Sequence, residues 1–229
     1  RVALARCIVT GAKILLLDEP LGALDARLRL ELRGELKKLA RELRLTVIHV
    51  THDQAEATAI GDQIILLRRG RIEQIGQPEE IYLEPSSIFV ASFVGEKNFV
   101  DGKVSDVRGK NGLIELSDGL QIMAPSNGLR KGELAIMAIR CESISPFRVQ
   151  GAEVNNLAGV VRDMRFQGSY VKYLIELKGG RVVHSHVPSP IALQSPIEID
   201  STIPVSIRRD DIIVFKYPER GLSQEVEAF

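Results

Sequence analysis

Between residues 25 and 44, Leu28, Leu32, Leu36, Leu39 and Leu43 recur at helical spacing. Steps of three and four put them on one face of a helix, and Asp25 suits its N-cap. Residues 14–17 form a continuous apolar run between Gly11 and Pro20. That pattern predicts a strand buried on both faces, as in a parallel sheet. The β-branched run 46–50 predicts a second strand. Val2, Ala5, Cys7, Ile8 and Val9 fit the last turns of a helix, with Gly11 past its end. A short helix is expected over 53–60. Strand-like segments 64–67 and 72–75 flank Arg68-Arg69-Gly70-Arg71 and predict a hairpin. Pro78, followed by Glu79 and Glu80, opens another helix, and a last one is expected over 87–94.

After Gly95 the pattern changes. Long amphipathic helices give way to short alternating segments at 99–107, 113–116, 121–123, 134–139, 159–166, 170–177, 182–187, 203–207 and 212–216. Turn residues separate them, including Asp118-Gly119 and Gly179-Gly180. Such spacing predicts small β-barrels or sandwiches. The two glycine turns introduce similar segments, 117–123 and 178–183, which suggests two related barrel-like lobes. The expected organisation is therefore an α/β part over 1–95 and an all-β part over 96–229.

Composition narrows the function classes. The 229 residues are 45% hydrophobic, with 30 basic and 30 acidic side chains. That apolar fraction excludes a disordered chain. The balance holds on either side of residue 97, with 14 of each sign in 1–97 and 16 of each beyond it. Zero net charge argues against a nucleic-acid binder working through bulk electrostatics. Cys7 and Cys141 are the only cysteines, so no disulfide framework is readable and a reducing compartment is expected. No apolar run approaches a membrane span, and no signal peptide is visible. The start at Arg1 reads as a cut.

The first strand ends in Asp18-Glu19. Two carboxylates at the carboxyl edge of a parallel sheet suit Mg²⁺ and a base for a nucleophilic water. In isolation the same residues also suit a plain strand end. His52 follows the second strand and can face the same edge, where an imidazole hydrogen-bonds phosphate or orients water. A satisfied turn histidine is the plainer alternative. His184 and His186 alternate on one strand face. An HxH pair can ligate zinc or iron, but without a nearby Cys or carboxylate they read as ordinary half-exposed strand residues. Arg68, Arg69 and Arg71 read as a solvated hairpin tip, and Arg208-Arg209-Asp210-Asp211 as a surface turn.

The combination is more specific than its parts. LLLDEP, then LGALDARLR, an amphipathic helix and TVIHVTHDQAEA closely resemble the ATP-binding subunit of an ABC transporter. The resemblance continues through DQIILLRRGRIEQIG, QPEEIY and FVASFV, covering the first half. The second half resembles, more loosely, the C-terminal TOBE domain of maltose, glycerol-phosphate, polyamine and ferric-iron importers. The signposts there are 138–144, Pro188-Ser189 and 211–215, with Cys141 departing from the usual proline.

The resemblance implies a P-loop-type ABC ATPase domain with a parallel sheet, followed by an OB-like TOBE barrel. It implies ATP and Mg²⁺ as cofactors. It makes Asp18 a Mg²⁺ ligand of Mg-ATP, Glu19 the general base, and His52 the switch histidine at the γ-phosphate. Asp25 becomes the D-loop residue that crosses a dimer interface. It implies a second copy of the subunit and transmembrane permease subunits as partners, no nucleic acid, and peripheral association at the cytoplasmic face of the inner membrane. The family's G-x-x-x-x-G-K-[ST] phosphate loop and LSGGQ-like signature are absent from the sequence. The nearest pieces are Gly102-Lys103-Val104 and Gly109-Lys110-Asn111. The chain alone is therefore expected to lack ATPase activity. A solute-sensing regulatory module and an ABC-type DNA-maintenance ATPase are the alternatives; against the second, the C-terminal half of this chain has no coiled-coil pattern and no net positive charge. Sugar, polyamine, iron, sulfate and thiamine importers share this layout; overall texture leans to polyamine or ferric iron.

Overall fold

The computed structural model describes residues 11–226, so the helix expected over 1–9 lies outside the described residues. The chain divides into two compact units, Arg1–Ser86 and Ser87–Phe229.

In the first unit, β1 (Ile14–Asp18) and β2 (Thr46–Val50) pair in parallel, from Ile14 opposite Thr46 to Asp18 opposite Val50. They are joined by α1 (Ala26–Glu42), which starts at Asp25: its carboxylate accepts the Leu28 N–H at 3.0 Å. Leu32 and Leu36 bury themselves with Leu21, and Leu17, Leu24, Leu28 and Ile60 pack around them. At the far end Leu45 N–H donates to Ala40 O at 2.8 Å and Arg44 N–H to Arg41 O at 3.2 Å. This is the Schellman arrangement, with Arg44 at φ 52° where glycine is the usual occupant. Then come α2 (Gln54–Ile60), the hairpin β3 (Ile64–Arg68) and β4 (Arg71–Gly76), and α3 (Pro78–Leu83). Arg69 and Gly70, both at positive φ, make the two-residue turn.

The double-sided burial expected of β1 is not what the structure shows. Leu15 is buried and Leu17 half-buried, while Ile14, Leu16, Ile48 and Val50 are exposed. The physical reason is layering. The α1 leucines gather on the Leu17 side, and the described parallel sheet has two strands with its other face open. The first unit thus holds a parallel pair, helices and a hairpin, and the described chain as a whole is mostly β.

The second unit opens with α4 (Ile88–Phe93), capped by Ser87, whose Oγ accepts the Val90 N–H at 3.3 Å. Next follow β5 (Lys97–Arg108), β6 (Asn111–Glu115), β7 (Gln121–Pro125), β8 (Leu134–Arg140) and β9 (Ile144–Ser145). The chain continues with β10 (Val154–Phe166), β11 (Tyr170–Leu177), β12 (Val182–Pro188), α5 (Ser189–Gln194), β13 (Thr202–Arg208), β14 (Ile212–Lys216) and α6 (Leu222–Val226). Two five-stranded sheets form, in the orders β14-β8-β5-β6-β7 and β12-β11-β10-β13-β9.

The two sheets repeat one plan. A long bulged strand (β5, β10) leads into a hairpin (β6–β7, β11–β12), a return strand (β8, β13), a 3₁₀ turn and a closing strand (β9, β14). The closing strands are exchanged: β9 pairs with β13, and β14 pairs with β8. Gly102 and Gly159 sit at matching places before the bulges. A Cβ at either would stand 2.5 Å from an isoleucine Cγ2, of Ile114 or Ile175, so only glycine fits. One core fills the space between the sheets, with Val104, Ile114 and Met137 from one and Val161, Ile175 and Val205 from the other.

Two asparagines bind the sheets at their edges. Asn98 on β5 accepts the His184 N–H at 2.7 Å and donates to His184 O at 2.9 Å, across to β12. Asn155 on β10 does the same to Met123 on β7, both at 2.8 Å. Each side chain completes the backbone bonding of an edge strand that has no further neighbour.

Candidate functional site

At the carboxyl edge of β1 and β2 the structure brings together two of the residues singled out by sequence. Glu19 Oε1 lies 3.1 Å from His52 Nδ1. Both side chains are exposed, as is Asp18 beside them. Glu19 is held at φ 43°, in the left-handed region. Its N–H donates to Val50 O at 2.9 Å, and its carbonyl accepts the Gly22 N–H at 3.1 Å. The turn therefore keeps the backbone of Glu19 tied to the end of β2 while its carboxylate points at the histidine that follows β2. A non-glycine residue in this conformation is a strained one, and such strain concentrates at functional sites.

The segment carrying His52 is anchored by its neighbour. Asp53 caps α2, accepting the Glu56 N–H at 3.0 Å. It also meets Arg33 at 2.7 Å and Arg29 at 3.5 Å, both on α1. Arg29 in turn donates to Leu24 O at 3.0 Å. Burial alone would raise the Asp53 pKa. The Glu56 N–H, Arg33, the Ala55 N–H and Arg29 outweigh it and hold the carboxyl below the ordinary carboxylate value. One charged knot thus links the 22–25 loop, the start of α1 and the His52 turn. Asp25 is exposed and serves here as the α1 cap; it does not touch Glu19 or His52 by any contact seen in the structure.

Sequence reasoning missed this knot and a second pair. His49, on the covered face of β2, has Nε2 2.5 Å from Glu56 Oε1, with both side chains nearly buried. Alternation along β2 did carry a signal: His49 shares the face of Val47, whereas Ile48 and Val50 point the other way. The basic cluster at the hairpin also needs correcting. Arg68 is largely buried beside Glu73 at 3.8 Å, so the exposed tip is Arg69-Gly70-Arg71. In the second unit Arg209 is likewise mostly buried, on Glu153 at 2.5 Å and Asp210 at 3.3 Å.

The donors at the sheet edge are exposed carboxylate oxygens and an imidazole. Such hard oxygen donors fit Mg²⁺ with retained waters. Asp18 and Glu19 are the residues that would hold or approach it.

Comparison with known proteins bears on both units. A family model described as the TOBE domain matches residues 137–215. The spermidine/putrescine import ATP-binding protein PotA of Rubrobacter xylanophilus is 42% identical over 187 residues, covering 80% of this chain and 49% of that protein. The same-named protein of Clostridium novyi is 36% identical over 217 residues, covering 94% of this chain and 58% of that protein. The chain thus spans about half the length of the curated relatives it matches. Among solved structures, the cytoplasmic molybdate-binding protein ModG aligns with a TM-score of 0.46 and 17% identity, over 53% of this chain and 96% of that one. No helix among the described residues is long and apolar enough to cross a membrane.

Proposed function

Since this chain is related to the ATP-binding subunits of ABC importers and carries a TOBE domain, we propose that it supplies the acidic and histidine-bearing part of an ATP-hydrolysing site that drives polyamine import. The observation that carries the reading is the Glu19–His52 contact at 3.1 Å, on the carboxyl edge of a parallel strand pair, with Asp18 beside it.

Each residue then has a role its position supports. Asp18, exposed at the strand end, offers oxygen to Mg²⁺. Glu19 takes the proton of the attacking water at its carboxylate. His52 fixes the Glu19 carboxylate through Nδ1 and leaves Nε2 to meet a phosphate oxygen. Mg²⁺ bound with the nucleotide would neutralise charge that develops on the transferred phosphoryl group. Phosphoryl transfer calls for positioning and charge stabilisation, which the Asp53–Arg33–Arg29 knot serves by holding the His52 turn to α1.

The phosphate-cradling loop has no counterpart in these 229 residues. The chain alone is accordingly inactive, and its working form is a longer subunit, paired with a second copy and with permease subunits at the cytoplasmic face of the membrane. The 1–95 part belongs to a P-loop-type domain and 96–229 to a TOBE-type regulatory part. A regulatory or solute-sensing role for that β part is compatible with the same assembly and rests on the TOBE match.

Uptake of labelled spermidine tests the reading. In cells lacking their own polyamine importer, the longer protein with its permease should restore uptake. Glu19→Gln and His52→Ala should each reduce it by ~100-fold or more, the scale of a lost general base. Uptake that survives Glu19→Gln, or restored uptake of a different solute class alone, contradicts it.

A further inference from the structure

A cluster in the second unit lies outside the proposed ATP site. Glu96 precedes β5, Cys141 follows β8 and His186 lies on β12. One carboxylate oxygen, the Cys141 Sγ and one imidazole nitrogen all lie within 4.8 Å of one another. His186 Nε2 is 3.3 Å from Glu96 Oε2, yet it is buried and makes no hydrogen bond. Cys141 is a buried free thiol.

The surroundings hold these donors in place. Cys141 N–H donates to Glu96 O at 3.2 Å, tying two of the three segments together. Asn98 Nδ2 lies 3.6 Å from Cys141 Sγ while its amide clamps His184. The Tyr170 ring stacks on His186 with centroids 4.3 Å apart, which fixes the imidazole plane.

The repeated plan of the unit supplies a comparison within the molecule. In the second repeat Arg209 N–H donates to Glu153 O at 2.8 Å, and its guanidinium meets Glu153 at 2.5 Å. Cys141 and Glu96 occupy the corresponding places in the first repeat. Each glutamate thus has a cation beside it, but only the first repeat adds a thiol and an imidazole. Lys172, on the neighbouring strand, reaches Glu96 from the side.

We propose that Glu96, Cys141 and His186 form a binding site for a borderline-soft divalent cation, with Zn²⁺ the best match. A sulfur, a nitrogen and an oxygen are the donor set that zinc takes, and three protein ligands leave a fourth position for water. Donors at zinc distances stand about 3.3–3.6 Å apart. The His186–Glu96 separation, 3.3 Å, is already of that size, and the thiol, within 4.8 Å of both, has to close at most the remaining gap. The metal deprotonates the thiol, and that proton leaves to solvent. Because the metal takes the thiolate, affinity should rise with pH. The Lys172 ammonium competes for the same carboxylate.

Zn²⁺ alone, titrated against a chromogenic chelator, tests the site in the 229-residue chain with Cys7→Ser. One Zn²⁺ per chain is expected. Cys141→Ser and His186→Gln should each weaken it by at least ~10-fold, and His184→Gln should leave it unchanged. Lys172→Met should tighten binding, a gain that misfolding cannot produce. Co²⁺ should give a thiolate charge-transfer band that Cys141→Ser abolishes. Equal Zn²⁺ affinity in the parent and Cys141→Ser chains, an equal loss with His184→Gln, a Co²⁺ spectrum without the thiolate band, or no tightening with Lys172→Met would each overturn the assignment.

Discussion

Arg44 adopts a conformation that suits glycine, at φ 52° in the turn that ends α1. Its N–H bond to Arg41 O and the Leu45 bond to Ala40 O need only backbone. Arg44→Gly should therefore stabilise the chain by ~0.5–1 kcal/mol, read as a higher denaturation midpoint. Asp53 behaves oppositely. Asp53→Ala removes the α2 cap and leaves Arg33, a mostly buried guanidinium, without its 2.7 Å partner. A loss of ~2–3 kcal/mol is expected by urea unfolding. Because the folded Asp53 pKa is depressed, its contribution is full above about pH 4 and is lost as pH falls through the folded value. These two residues also mark what sequence conveys at this scale. Asp18, Glu19 and His52 were legible because each ends a short apolar run, and edge position follows from strand position. The partners of Asp53 were not, because Arg29 and Arg33 lie on another element and their meeting depends on how α2 packs against α1.

At the scale of elements, the bulged strands and the asparagine clamps decide how the two five-stranded sheets close. Asn98 is buried and its side chain bonds both backbone groups of one residue, His184. Asn98→Ala should cost ~2 kcal/mol, by stranding a buried N–H and C=O on β12, and should lower the melting temperature. The opposite face of β12 packs the core, and its His184 and His186 face titratable neighbours. Burial lowers the pKa of both; Lys172 lowers them further and Glu96 opposes. Below pH 6.5 the unfolded chain binds more protons than the folded one. Stability should thus fall as pH drops from 8 to 5, seen as a decreasing melting temperature, and His184→Gln and His186→Gln should each flatten the trend. Period-two alternation located most strands of this half. It missed β9, two residues long, whose pairing with β13 is set by the exchange of closing strands, and the first five residues of β10, whose pairing with β13 is long-range; neither is set by local pattern. The reverse error befell β1: a continuous apolar run was read as double burial, and the sheet proved covered on one face.

The whole molecule joins a first unit with an exposed apolar stripe to a second with a single shared core. The stripe of Ile14, Leu16, Ile48 and Val50 is one that a stable monomer would ordinarily cover. Net charge is zero, so bulk electrostatic attraction does not draw this chain to a charged surface. The central claim is that Glu19, oriented by His52, is the base of an ATP-hydrolysing site. The most direct test is single-turnover hydrolysis of ATP by the longer subunit assembled with its permease, wild type against Glu19→Gln. The claim requires that Glu19→Gln still bind Mg-ATP while cleavage slows by ~100-fold or more. Cleavage at an unchanged rate would contradict it.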